Sequence, residues 1–125
     1  MILPRLAAAA TGVAAEQHAA GWLQARGLRP VDRNWRCRQG ELDLVMQDGA
    51  TLVVVEVRAR RHAGFGGAAG SVDVRKCRRI AAATQAWLLA HPQWASAPLR
   101  FDVLAYESNG HFDWLQAAFT TDDLA

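Results

Sequence analysis

A chain of 125 residues, 51% apolar and 21% charged, is the size of one domain and can bury a core without disulfide or metal staples. No apolar run approaches the roughly 20 residues that a bilayer-spanning helix needs, and the two cysteines, Cys37 and Cys77, make neither a disulfide framework nor a zinc site. The formal net charge of +2 hides an asymmetry, because Arg26 to Arg79 carries twelve basic residues against six acidic ones while Ile80 onward carries one Arg against five acids. In chain order, Thr11 caps a helix that runs to about Arg26 and stops at Gly27. The Ala-rich start, Met1 to Ala15, has the outline of a signal peptide but continues unbroken into Glu16-Gln17-His18 on one helix, so the chain reads as cytoplasmic, with reduced thiols. Pro30 breaks the helical pattern, Val31 to Arg36 makes a short strand, and Glu41 to Met46 alternates as a second strand.

Gln47-Asp48-Gly49-Ala50 carries the Asp-Gly signal of a hairpin turn. The run Thr51 to Arg58, rich in Val, reads as a strand buried on both faces. His62 to Gly70 is a Gly-rich loop, after which Ser71 caps a second helix that His91-Pro92 ends near Ala90. Arg100 to Glu107 is a strand that turns at Asn109-Gly110 into a partner, His111 to Leu115. The order predicts an α/β fold, one domain over residues 1–125 with a central mixed β-sheet flanked by helices.

The hairpin concentrates the chemistry. With opposed positions summing to 97, Glu41 faces Glu56, Asp43 faces Val54, and Glu41, Asp43, Val54, Glu56 and Arg58 share one face. Asp43 and Glu56 are then diagonal neighbours, with β-carbons roughly 7 Å apart. Two carboxylates on an otherwise apolar strand pair repel each other and resist desolvation. A divalent cation removes both problems, and oxygen ligands suit Mg²⁺ or Mn²⁺. Such a cation polarises a phosphoryl oxygen and generates hydroxide, as phosphodiester hydrolysis requires, with Arg58 placed to hold the phosphate. The competing account pairs Glu56 with Arg58, and Glu41 with a neighbouring Arg, as ordinary strand ion pairs.

Gly40-Glu41-Leu42-Asp43-Leu44, followed by Val55-Glu56-Val57-Arg58-Ala59-Arg60, resembles the bacterial YraN-like family of predicted endonucleases. These are similar to archaeal Holliday-junction resolvases and share the restriction-endonuclease-like fold. The resemblance extends over Glu16, Arg33-Asn34-Trp35-Arg36, Phe65-Gly66, Lys76, Arg79-Ile80, Arg100-Phe101-Asp102-Val103 and Ala118-Phe119. It implies a metal-dependent nuclease acting on structured or branched DNA, with Asp43, Glu56 and the Val57 carbonyl binding Mg²⁺ or Mn²⁺. Glu16 joins Asp43, Glu56 and Arg58 as a catalytic residue, and Glu41 has a supporting or capping role. By analogy with junction-cutting relatives, it also implies a two-fold homodimer.

The sequence departs from the family pattern at Arg58, where the family has the Lys of a Glu-x-Lys motif, and at Ala15, where it usually has Gly. Arginine stays protonated and serves as cation and donor only. With thirteen Arg and the single Lys76, either Arg-for-Lys drift reached the motif with hydrolysis partly kept, or the chain is a catalytically inactive DNA-binding module of the same fold. Arg75, Lys76, Arg78 and Arg79 on the second helix, with Arg60 and Arg61, are placed to track a phosphate backbone or else form a solvated face. Trp22, Trp87, Trp94 and Trp114 read as packing rather than base-stacking platforms, and the histidines lack metal-ligand spacing.

Overall fold

A computed structural model describes residues 11–59 and 72–124. Helix α1 (Thr11–Gln24) leads into strand β1 (Arg29–Cys37), followed by β2 (Gly40–Asp48) and β3 (Thr51–Ala59). Helix α2 (Val74–Ala90) connects to β4 (Leu99–Tyr106), and β5 (Phe112–Phe119) completes a five-stranded sheet in the order β1-β2-β3-β4-β5. Among the described residues only the β3–β4 pair is parallel, joined through α2, so the sheet is mixed as expected. The architecture is α/β and consistent with a restriction-endonuclease-like fold. The Ala-rich segment before Thr11, and the Gly-rich loop with Arg60, Arg61 and Ser71, lie outside the described residues.

Local chemistry accounts for the boundaries. Helix α1 ends in a Schellman arrangement, with the Leu28 amide donating to the Leu23 carbonyl, the Gly27 amide to the Gln24 carbonyl, and Gly27 at φ +96°. Helix α2 is capped by Asp73, whose carboxylate accepts from the Lys76 amide at 2.8 Å. That corrects the expectation of Ser71: Asp73 stands directly before the first helical turn, where a side-chain oxygen reaches the orphan amides.

The β2–β3 register also differs from the expected one. Leu44 pairs with Val55 and Asp48 with Thr51, so the turn is Gly49-Ala50. Gly49 alone has positive φ (+61°), the φ pattern of a type II′ hairpin. The pairing is two residues off the expectation because the turn is centred one residue later.

Burial on both faces of β3 follows from its composition. Val53 and Val55 pack with Leu44, Met46 and α1 residues Ala19, Ala20 and Leu23, whereas Leu52 and Val54 pack with Val45 and α2 residues Ile80, Ala83 and Trp87. The two helices therefore cover opposite faces. Strict alternation would put Leu42 with Leu44, yet Leu42 belongs to the α2-side cluster. The alternation slips between them, next to Asp43.

Candidate metal centre

That slip builds the site. Both β2 and β3 continue past the Leu44↔Val55 pair, but no further pair joins them. The Val57 amide donates instead to Asp43 Oδ2 at 2.9 Å. A side-chain carboxylate thus stands where a ladder carbonyl would, and the strands open around it.

Glu16 approaches from α1. Its carboxylate oxygen and those of Glu41 and Asp43 lie within 4.8 Å of one another, although Glu16 is only 7% exposed. Glu56, only 4% exposed, is hydrogen-bonded to Asp43. Its Oε2 also lies 3.6 Å from Arg58 Nη1 and 3.5 Å from Lys76 Nζ on α2. Val54, expected on the same face as Glu41 and Asp43, packs instead on the α2 side. The slip brings Glu41 and Asp43 beside Glu16 of α1, while Val54 keeps the alternation of β3.

Electrostatics follow from this crowding. Burial pushes the Glu16 carboxyl up to about 8, helped by the charge of Asp43, a hydrogen bond to it, and Glu41, while Arg36 opposes. Burial likewise pushes Glu56 up to about 8, with the hydrogen bond to Asp43 and its charge adding, and Lys76 and Arg58 opposing. Each glutamate is held protonated by surroundings that penalise a second negative charge.

The donor set fits a hard divalent cation. Three carboxylates from three positions converge, all ligand atoms are oxygen, and neither His nor Cys belongs to the group. Glu16, Glu41 and Asp43 are the residues that could hold it, with Glu56 beside Asp43.

Of the residues the sequence nominated, Glu16, Asp43, Glu56 and Arg58 come together. Val57 takes part through its amide. Lys76, expected on a phosphate-tracking face, reaches Glu56 itself, and Arg75, Arg78 and Arg79 are exposed on α2. Two contributions went unread: Glu41 as a full member of the triad, and the Lys76 contact. The Glu-x-Asp alternation in β2 and the isolation of one lysine among fourteen basic residues were the available signals.

Comparison with known proteins places these residues in a family. A UPF0102 protein of Pseudomonas entomophila (strain L48) is 50% identical over 121 residues, covering 94% of this chain and 98% of that protein. One of Pseudomonas putida (strain W619) is also 50% identical over 121 residues with the same coverage. A third, of Stutzerimonas stutzeri (strain A1501), is 51% identical over 112 residues, covering 87% of this chain and 93% of its own length. The model of the uncharacterised protein family UPF0102 matches residues 15–106, a span holding Glu16, Glu41, Asp43, Glu56, Arg58 and Lys76. The chain therefore belongs to UPF0102, the YraN-like family that its Gly40-to-Leu44 and Val55-to-Arg60 motifs resemble.

Proposed function

We propose that the protein is a nuclease of the metal-dependent kind, acting on DNA and preferring branched structures, with Glu16, Glu41, Asp43 and Glu56 forming its Mg²⁺ or Mn²⁺ centre. One observation carries this: three carboxyl groups from α1, β2 and β3 crowd around that of Asp43, two of them buried glutamates pushed up to about 8. Such crowding is costly unless protons or a cation neutralise it. When bound, a divalent cation supplies charge neutralisation and Lewis acidity for phosphodiester hydrolysis. The Val57 carbonyl, adjoining Glu56 in the chain, is a further oxygen available as a ligand.

The chain's own cations have separable tasks. Arg58, two residues after Glu56 on β3, offers a planar fork to a phosphate oxygen. Lys76 supplies from α2 the ammonium that position 58 lacks, since both reach the same Glu56 oxygen. Arg58 cannot act as a base, because its guanidinium stays protonated. That favours a second reading, in which the chain binds DNA without cutting it.

Incubation of a four-way junction and a linear duplex with Mg²⁺ or Mn²⁺ separates the two. Under the first reading the wild type cuts, Asp43→Ala does not, and Arg58→Lys cuts at least as well as wild type. Binding without cutting, with cleavage appearing in Arg58→Lys, would establish the second.

A further inference from the structure

The basic residues beside the acidic cluster do not act as one face. A groove of about 400 Å³ separates the β1–β2 hairpin from the first turns of α2, with Arg36, Gly40 and Glu41 on one wall and Lys76 and Arg79 on the other. Lys76, Arg79 and Ile80 are spaced i, i+3, i+4 and share a helix face. Arg75 and Arg78, equally basic and exposed, do not line the groove. The walls come close at Gly40, where a β-carbon would stand in ordinary contact with Arg79, 3.4 Å from its carbonyl oxygen and 3.5 Å from its β-carbon.

The groove opens onto the acidic cluster through two shared residues. Glu41 belongs to both, and it pairs with Arg36 at 3.4 Å. Lys76 lines the groove and also reaches Glu56 at 3.5 Å. The Arg36 side chain is 77% exposed, so its guanidinium can exchange Glu41 for an incoming anion at little cost in desolvation.

We infer that this groove is a phosphate subsite, seating between Arg36 and Arg79 the DNA backbone phosphate that neighbours the phosphodiester presented to the acidic cluster. The inference rests on the nuclease-type reading above and deepens it by placing a second phosphate. Three cations line the groove against the single carboxylate of Glu41. Arginine forks on opposite walls suit the tetrahedral oxygens of a phosphodiester better than a planar or neutral ligand. Arg36 lies on β1, remote in sequence from the helical cluster that charge counting alone points to.

The test is anisotropy of a short fluorescent DNA duplex over a salt series in EDTA, with Arg36→Gln, Arg79→Gln, Arg75→Gln and Arg78→Gln compared. All four positions are exposed, and circular dichroism verifies folding. Arg36→Gln and Arg79→Gln should each lower the slope of log affinity against log salt by about 1, whereas Arg75→Gln and Arg78→Gln change it less. Equal losses at all four positions, or no binding at all, would overturn the subsite in favour of a diffuse solvated surface. Tighter binding of an RNA duplex run alongside would overturn the DNA assignment. Because EDTA removes the metal, a separate lack of Mn²⁺-dependent cutting would sink the nuclease reading while these slopes still report on the groove.

Discussion

Asp43 is the residue on which the others depend. It accepts the Val57 amide and shares hydrogen bonds with both Glu16 and Glu56. Asp43→Ala should therefore abolish Mn²⁺ binding in a calorimetric titration, and unchanged affinity would remove the cluster as a cation site. The protonated glutamates also predict a pH dependence with a definite sign. Both carboxyls are raised from 4.5 to about 8, so within that window the folded state holds protons the unfolded chain has released. Stability of the metal-free protein then falls as pH rises through the window, and the loss is complete above the folded value. Thermal melts in EDTA from about pH 5 to about pH 9 should show a decline of several degrees, shallower in Asp43→Asn. Added Mn²⁺ should restore more stability at the alkaline end, where the carboxylates are free to bind it.

Among the elements, β4 and β5 are held by a buried carboxylate. Asp102, 1% exposed, accepts from Arg100 Nε at 2.9 Å and Nη2 at 3.1 Å, from Trp114 Nε1 at 3.0 Å and from the Ala117 amide at 2.9 Å. Its position coincides with the irregularity between Phe101 and Val103, where β5 carries extra residues and Ala117 has φ +51°. The carboxylate thus satisfies an amide that the ladder leaves unpaired. Removing it leaves the largely buried Arg100 guanidinium to Asp48, 3.1 Å away at a more exposed position, and takes the acceptor from Trp114 Nε1 and the Ala117 amide, so Asp102→Ala should cost about 3 kcal/mol in urea unfolding. The Asp73 cap of α2 is exposed and simpler, and Asp73→Ala should cost about 1 kcal/mol by the same measurement.

For the whole molecule, the packing of α2 on the sheet links stability to the site. Trp87 is 0% exposed, donates from Nε1 to Asp32 Oδ2 at 2.8 Å and stacks on His91 at 4.0 Å between ring centroids. It anchors the helix that carries Lys76 and Arg79. Trp87→Ala should cost about 3–5 kcal/mol and weaken DNA binding with it, as measured by urea unfolding and anisotropy. Glu16→Gln, which keeps shape and removes a carboxylate, should impair metal binding without that loss of stability. No helix among the described residues is long and apolar enough to cross a membrane, in keeping with the absence of a long apolar run in the sequence.

Much of this was decided locally. Gly27 stops α1, Asp48-Gly49 lies at a hairpin, the valines of β3 call for cover on both faces, and His91-Pro92 ends α2, each for a reason confined to a few neighbouring residues. The acidic residues and the arginine in place of lysine were equally legible, because residue type and spacing carry that information. The sequence could not settle the β2–β3 register, since a turn shifted by one residue moves every pair by two. Nor could it reveal the slip at Leu42–Leu44, which depends on how both helices fill opposite faces of the sheet. The meeting of Glu16 with Asp43 and of Lys76 with Glu56, and the placing of Arg36 and Arg79 along one groove, join residues 20 to 43 positions apart. Packing alone brings such pairs together, because propensity and periodicity act over a few residues and fix no distance between separate elements.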